Sequence, residues 1–214
     1  MNTVEYKQRF EKAYSLLVEA HVFFFVWKGL QKKEYEQYWK EFNFWNAVIQ
    51  ALDKSWMLSL AKIYEDSAYS EKDEIISIFS LVEHQLDEER KKKAREILEN
   101  KKEILKNISI IRHNLGAHNN AKYTLNPNDL FKKFPIKYDE IESLFETTVD
   151  IFHLLHPEKD HGLTMDQFNE KCVLDVKMIM KKLKYYDDER QKHYEKCKRN
   201  EIPYSVFPPD MDFS

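Results

Sequence analysis

One short stretch of the chain concentrates side chains that can do chemistry, at residues 109–120, SIIRHNLGAHNN. It contains one arginine, two histidines and three asparagines. An arginine presents a planar fork of donors that suits a phosphate. A histidine can exchange a proton near neutral pH. Together these two residue types suit cleavage of a phosphodiester in RNA.

Arg112 and His118 are the pair that such chemistry would use. The histidine would help to deprotonate the ribose 2′-OH or to protonate the leaving 5′-oxygen. The arginine would stabilise charge on the phosphate as the transition state forms. The 2′-OH is an internal nucleophile, so the reaction needs no metal or cofactor, and DNA, which lacks that hydroxyl, is excluded.

The spacing of the pair places a condition on the backbone. Arg112 and His118 are six residues apart, which puts them about 120° apart around an undistorted helix. They converge only if the helix ends or distorts between them, and Gly116 is the residue that permits this. Asn114 shares a face with His118 while the helix lasts. The alternative is an ordinary helix C-terminus, where Arg and His favour the dipole and Gly116 or Asn119 supplies the stop.

The residues leading to this stretch carry an excess of positive charge. Between Arg90 and His118 there are nine Lys and Arg side chains and three Glu, whereas the whole chain has a formal net charge of −3. A basic segment is the usual footprint of a polyanion-binding surface. The alternative is a solvated helix face with lysines toward its C-terminal half. The net charge itself gives no reason to expect general nucleic-acid binding.

The composition favours a helical fold with one core. Of the 214 residues, 43% are hydrophobic, and only three Gly and six Pro occur to punctuate strands and turns. We expect an all-α, single-domain antiparallel bundle of about five to seven helices over residues 1–186. A helix end and a proline-bearing acidic tail follow over residues 187–214.

The spacing of apolar residues predicts the individual helices. They span approximately residues 3–27, 34–65, 75–82, 87–115, 138–155 and 164–183. We expect Thr3 and Thr164 as N-caps, Gly29 as a helix stop, and a capping box formed by Ser70 with Asp73. A polar loop is expected after His118, over residues 119–135.

Three of these helices carry a clear apolar face. The second helix has the strongest stripe, which predicts core or a dimer interface: Phe42, Trp45, Ile49, Leu52, Trp56, Leu60 and Ile63. The helix over 138–155 has a similar stripe: Ile141, Leu144, Phe145, Thr148, Ile151, Phe152 and Leu155. The last helix has a sparser one: Phe168, Cys172, Ile179 and Leu183.

Other chemically capable side chains favour structural roles. His153 and His156 end a helix, and no Cys or carboxylate spacing completes a metal site around them. The acidic run 187–189 is typical of an exposed helix turn. The sequence contains no Gly-rich phosphate loop and no readable Ser-His-Asp pattern.

The sequence also indicates the cellular compartment of the protein. The sequence allows a disulfide between Cys172 and Cys197, but a reduced chain is the simpler interpretation. The N-terminal segment lacks the features of a signal peptide, and the most apolar run, residues 21–27, is too short to span a bilayer. We therefore expect a soluble, cytoplasmic protein without a membrane partner.

The segment RHNLGAH, residues 112–118, resembles the R-x(4–6)-H signature of the HEPN superfamily. His113 fits the polar position that follows the arginine. The wider pattern resembles HEPN proteins of the abortive-infection type, which are associated with phage defence. In these proteins a long helix ends in an aliphatic-Tyr-acidic segment before a Ser-rich turn and a short helix, here LAKIYEDSAYSEKDEIISIFSLV. The resemblance covers roughly residues 5–185.

The resemblance implies a helical bundle with metal-independent endoribonuclease activity. It implies a homodimer in which two R-x(4–6)-H motifs meet in one cleft. Arg112 and His118 are then the catalytic pair, with His113 or Asn114 as the polar helper. Some family members have lost catalysis, so a module that binds RNA, a nucleotide or a protein partner is the alternative. A helical scaffold without a small-molecule site is the third interpretation.

The resemblance also implies a regulatory partner. Some family members are toxins restrained by an antitoxin, sometimes a nucleotidyltransferase that modifies a tyrosine just after the motif histidine. Here Asn119 and Asn120 follow His118, and the first tyrosine is Tyr123. The chain therefore departs from the pattern that this modification requires.

Overall fold

The computed structural model of the chain is all-α, as the composition predicts. It describes residues 3–41, 43–65, 75–117, 127–158, 166–199 and 201, in which helices occur without strands. The α-helices in these residues are α1 (Thr3–Leu30), α2 (Glu36–Glu41), α3 (Asn43–Ile63), α4 (Ile78–His84), α5 (Glu88–Asn100), α6 (Lys102–Ile111), α7 (Pro127–Lys133), α8 (Tyr138–Leu155) and α9 (Asp166–Lys198). A short 3-10 helix, Lys33–Tyr35, precedes α2, and a π-helical turn, Arg112–Ala117, follows α6.

The central helix of the bundle is α1, which packs antiparallel to α8. Near the start of α1, the Phe10 ring lies 5.4 Å from that of Phe152, close to the end of α8. Further along α1, the Phe24 ring lies 4.9 Å from that of Phe145. Phe24, Phe145 and Phe152 are each at most 1% exposed. Fully burying one such ring contributes about 1.5–3 kcal/mol, so this contact is a main source of stability.

The stripe on the second predicted helix is core, as expected. Ile49, Trp56, Leu60 and Ile63 are buried on α3, and Trp45 and Leu52 pack against them. Phe42 lies outside the described residues. The stripe predicted for residues 138–155 is also confirmed, since all of its members are buried on α8.

One predicted helix is divided in the structure. Residues 36–41 and 43–63 of the predicted segment 34–65 are helical, as expected, whereas the segment 87–115 is divided into α5, α6 and the π-helical turn. The α5–α6 break falls at Lys101, whose φ of −103° and ψ of 5° leave the α region. Apolar spacing did not reveal it, because Ile97 and Ile104 are seven residues apart on either side and fit an unbroken helix.

A short helix, α7, lies where a polar loop was expected over residues 119–135. Leu130 is 0% exposed and is the buried anchor of this helix. A helix of only two turns is too short to show a hydrophobic period in the sequence. Pro127, at its first position, is the start signal that the sequence did offer.

Gly29 does not end the first helix, which continues to Leu30. A Cβ atom at position 29 would lie 3.3 Å from Val176 Cγ2 on α9. The missing side chain therefore allows α1 and α9 to approach closely. The buried residues of α9 include Cys172, Val176 and Met180, whereas Ile179, which was expected on the core face, is 49% exposed.

The start of α4 is capped by a reciprocal pair. The Ser77 hydroxyl accepts from the Ser80 amide, and the Ser80 hydroxyl accepts from the Ser77 amide. This capping box fixes the short apolar helix predicted for this region. The box expected at Ser70 with Asp73, and the expected N-cap Thr164, lie outside the described residues.

Both cysteines are buried and lie on α9. Cys172 and Cys197 are separated by 25 residues of one helix, which corresponds to about 37 Å. A disulfide requires Cα atoms within about 7 Å, so these two residues cannot form one with each other.

By length and composition, α1 could cross a membrane, with a mean hydropathy of 1.2 over its most apolar 18 residues. Of this window, 44% is buried inside the protein. A core helix of a soluble protein meets the same criteria, and the buried side chains of α1 are bundle core.

Candidate functional site

Arg112 lies where α6 changes from α to π geometry. Its amide donates to the carbonyl oxygens of both Ile108 and Ser109 at the junction. The π-helical turn then continues over Arg112–Ala117 and includes Gly116. The backbone distortion expected between the two motif residues is therefore present. Single π-helical turns are frequently found at functional sites.

The guanidinium group of Arg112 pairs with Glu65, which follows the end of α3. Arg112 Nη1 donates to Glu65 Oε1 at 3.2 Å. The side chains are 28% and 36% exposed, so the pair lies at the half-buried surface. Arg112 Nε is buried and has no hydrogen-bond partner in the described part of the chain. One side of the donor fork is thus occupied, and the Nε donor is unsatisfied.

Buried neighbours hold both partners of this pair in place. Ile111, just before Arg112, is 0% exposed. Tyr64, just before Glu65, is 8% exposed, and its hydroxyl lies 2.5 Å from Thr148 Oγ1 on α8. Burial raises the pKa of Tyr64 above its usual value, so its hydroxyl stays protonated. The core therefore fixes the backbone on both sides of the ion pair.

The two predicted polar helpers lie on the same turn as Arg112. His113 is exposed. Asn114 is half-buried, and its Nδ2 donates to the Ile110 carbonyl oxygen at 2.8 Å. This bond stabilises the backbone of the turn. The roles of His113 and Asn114 as helpers in a reaction stay predictions.

His118 lies outside the described residues, as do Asn119, Asn120 and Tyr123. The described part of the site therefore consists of an arginine, a carboxylate and a distorted helix end. This arrangement can bind a phosphate group through the arginine.

Sequence reasoning missed Glu65 as a member of the site. It is the acidic residue of the segment KIYE at the end of α3, and 47 residues separate it from Arg112. The aliphatic-Tyr-acidic pattern was the available signal. That pattern does not say which basic residue the acid will meet.

The basic segment before the site is largely paired with glutamates. Lys93 Nζ lies 2.7 Å from Glu89 on α5. Arg95 bonds both carboxylate oxygens of Glu83, at 3.0 and 2.9 Å. Glu83 and Glu89 both precede residue 90. They were therefore not counted in the range 90–118, which has a net positive charge. These contacts favour the solvated helix face over an open polyanion surface.

The histidines at the end of α8 have structural contacts. His156 Nδ1 accepts from the Glu158 amide at 3.0 Å, and its ring packs edge-on against Phe10 at 4.9 Å. The His153 carbonyl oxygen accepts from Arg90 Nη2 at 2.9 Å. Within the described ranges, no cluster of three His, Cys, Asp or Glu side chains is arranged to hold a metal ion.

The comparison with protein families matches most of the chain. The family model for AbiU2, a HEPN family, matches residues 6–171, which include the π-helical turn and Glu65. No curated protein and no solved structure matches the chain. The chain belongs to the AbiU2 family of HEPN proteins.

Proposed function

We propose that this protein is a metal-independent endoribonuclease of the abortive-infection type, acting through Arg112 and His118. The placement of Arg112 carries the proposal. It is the arginine of the predicted R-x(4–6)-H motif, in a chain that belongs to a HEPN family. It is half-buried on a π-helical turn, and its Nε is unsatisfied among the described residues. An unpaired buried donor costs about 1–3 kcal/mol, and a phosphate oxygen at this edge would remove that cost.

The reaction is an internal transfer of the phosphoryl group. The ribose 2′-oxygen forms a bond to phosphorus, and the bond from phosphorus to the 5′-oxygen breaks. His118 takes the 2′ proton or supplies a proton to the leaving 5′-oxygen, while Arg112 stabilises the charge on the phosphate. The products are a 2′,3′-cyclic phosphate and a 5′-hydroxyl. His113 or Asn114 assists as the polar helper.

The proposal includes an assembly and a compartment. Two copies of the chain form a homodimer in which both motifs face one cleft, and an antitoxin or other regulatory protein controls activity. Cys172 and Cys197 are too far apart on α9 to form a disulfide with each other, which supports a reducing, cytoplasmic location.

The second candidate is a HEPN module that binds RNA, a nucleotide or a protein partner without cleaving RNA. The Arg112–Glu65 ion pair favours it, because a carboxylate already occupies part of the guanidinium fork.

Cleavage in EDTA separates the two candidates. Purified wild-type protein is incubated with RNA, and the ends of the products are identified. We expect 2′,3′-cyclic ends, and a loss of at least about 100-fold in rate for both Arg112→Ala and His118→Ala. The matched control is Arg95→Ala, which removes an exposed arginine of the basic segment and should cleave normally.

Two results would contradict the enzyme. Equal cleavage by wild type and both alanine variants would identify a contaminating nuclease. No cleavage by wild type, with RNA binding that depends on Arg112, would establish the binding module instead. Toxicity on expression gives a second readout, since wild type should slow growth and His118→Ala should not.

Glu65→Gln tests the role assigned to the ion pair in the same assays. The variant keeps the shape of the side chain and removes its charge. An exposed or half-exposed ion pair contributes at most about 1 kcal/mol, so RNA should bind up to about fivefold tighter. Unchanged or weaker RNA binding would show that Glu65 does not compete with phosphate.

A further inference from the structure

A second pocket lies at the other end of α3 from the Arg112 site. Trp45 lies near the start of α3, and Glu65 lies just past its end, 20 residues later. At 1.5 Å per residue, the two places are about 30 Å apart. The pocket lies between α2, the start of α3 and the middle of α9, and its volume is about 270 Å³. Its lining includes Tyr38, Phe44, Trp45, Tyr186, Asp187 and Arg190.

Tyr38, one of the residues that line this pocket, carries a buried polar group. The residue is 5% exposed, and its hydroxyl is buried without a hydrogen-bond partner among the described residues. Burying a hydroxyl without compensation costs about 1–3 kcal/mol. A ligand with a donor or acceptor at its edge would remove this cost, and a purely apolar ligand would not.

The other walls are aromatic rings that are open to solvent. Phe44 is 68% exposed and Tyr186 is 47% exposed. Phe44 and Trp45 meet edge-on, with ring centres 5.3 Å apart at 78°, so their faces point in different directions. Exposed rings of this kind stack on planar ligands, and such stacking is worth about 1–3 kcal/mol for each base.

The remaining polar groups belong to one turn of α9. Arg190 Nη2 lies 2.6 Å from Asp187 Oδ1, so a carboxylate acceptor and a guanidinium donor stand side by side. Base edges carry donors and acceptors of both kinds. Because the acid and the base are paired, the pocket has little net charge. It therefore recognises a ring with a polar edge and not a phosphate.

We propose that this pocket binds one nucleobase. The base stacks on Trp45 and Tyr186, and its edge bonds the Tyr38 hydroxyl. The volume lies just below the 300–1,000 Å³ that is usual for ligand pockets, which suits a single ring system. The α9 wall of the pocket lies beyond residue 171, where the family match ends, whereas the wall formed by Tyr38 and Trp45 lies within the matched residues.

Calorimetric titration of the full chain tests the proposal. The probes are the four common nucleosides, their 5′-monophosphates and ribose 5-phosphate, which has no base. We expect at least one nucleoside and its monophosphate to bind with similar affinity, and ribose 5-phosphate not to bind. Tyr186→Ala should weaken nucleoside binding roughly 5- to 100-fold through the loss of stacking.

Two further variants sharpen the test. Tyr38→Phe removes only the unsatisfied hydroxyl, so nucleosides should bind roughly 2- to 10-fold more weakly while the free protein is as stable as wild type or more so. Tyr194→Ala is the matched control. Its ring is 47% exposed on the same helix, as that of Tyr186 is, but it is not among the residues that line the pocket, and binding should be unchanged.

The proposal is independent of RNA cleavage, and Arg112→Ala should bind nucleosides like wild type. A binding assay with a single-stranded RNA oligomer distinguishes a base of RNA from a base of a free nucleotide as the ligand. Binding of the oligomer that weakens in Tyr186→Ala identifies an RNA subsite, and binding of mononucleotides alone identifies a free nucleotide as the ligand. Failure of nucleosides and oligomer alike to respond to Tyr186→Ala, or equal binding of ribose 5-phosphate, would overturn the proposal.

Discussion

In the proposed function, pairing with Glu65 governs how readily Arg112 binds a phosphate. The pair is only partly buried, so the carboxylate holds the guanidinium weakly and the singly charged phosphodiester of RNA would compete with it. The unsatisfied Nε adds a reason for exchange, because it has no partner in the pair. The same contact would then position the arginine in the free protein and yield to RNA.

His21 is a buried histidine on α1. It is 3% exposed, and its ring meets that of Phe145 edge-on at 4.5 Å. Burial lowers its pKa to about 4, an effect that the Leu17 backbone carbonyl partly opposes. Because the charged form is excluded from the core, His21 is neutral in the folded protein at neutral pH.

We expect His21 to make the fold sensitive to mild acid. The unfolded chain takes up a proton near the ordinary pKa of about 6.5, whereas the folded protein does so only near pH 4. Stability is therefore complete above pH 6.5 and is lost as the pH falls toward 4. The expected loss from His21 is about 2 kcal/mol between pH 7 and pH 5, measured by urea unfolding.

Two variants isolate this effect. His21→Leu should lose much less stability between pH 7 and pH 5 than wild type. His113→Gln changes an exposed histidine and should behave like wild type. An equal loss in wild type and His21→Leu would show that other groups cause the acid sensitivity.

At the residue scale, the sequence predicts the chemistry of a side chain better than it predicts which residue that side chain contacts. The Arg112 side chain suits a phosphate because of its type, and Gly116 marked the place of distortion correctly. Glu65 was not predicted as its partner, because the contact depends on how α3 and α6 pack. The nucleobase pocket was not predicted either, because α2 and α9 are far apart in the chain.

At the element scale, periodicity predicts a helix well when its buried face is continuous. The bounds predicted for α8 agree with the structure, since seven apolar or small residues keep one face along it. Prediction fails where one contact decides the outcome. Glycine commonly ends helices, yet Gly29 lies inside α1, where it packs against Val176.

The packing of α1 on α9 yields a test by a double-mutant cycle. Alanine favours a helix over glycine by about 1 kcal/mol, but at position 29 the new Cβ meets Val176 at 3.3 Å. Gly29→Ala should therefore stabilise the Val176→Ala variant by about 1 kcal/mol more than it stabilises wild type. Urea unfolding of all four proteins measures the difference, and equal effects in both backgrounds would show that this contact does not limit the approach of the helices.

At the scale of the whole molecule, charge is abundant but nearly balanced. One third of the residues are charged, yet the formal net charge is −3. Pairs such as Lys93 with Glu89 and Lys102 with Glu99, at 2.7 and 2.8 Å, balance the basic segment locally. RNA affinity should therefore come from a few specific contacts and from stacking, and not from a general positive surface.

The salt dependence of RNA binding distinguishes these two sources of affinity. For single strands, the slope of log K against log salt concentration is about −0.7 for each phosphate neutralised. If all nine basic side chains between residues 90 and 118 engaged phosphates, the slope would be about −6. If one Arg112 from each copy of a homodimer engages a phosphate, the slope should be only about −1.4.

We expect the shallow slope, measured with a short RNA oligomer over a series of salt concentrations on the His118→Ala variant, so that cleavage does not interfere. Adding Arg112→Ala should flatten the slope further, whereas Lys93→Ala should leave it unchanged because that lysine is already paired. Tyr186→Ala should lower the affinity without changing the slope, because stacking releases no counterions. A slope near −6 that Lys93→Ala reduces would show instead that the basic segment of α5 and α6 gives up its glutamates to bind RNA.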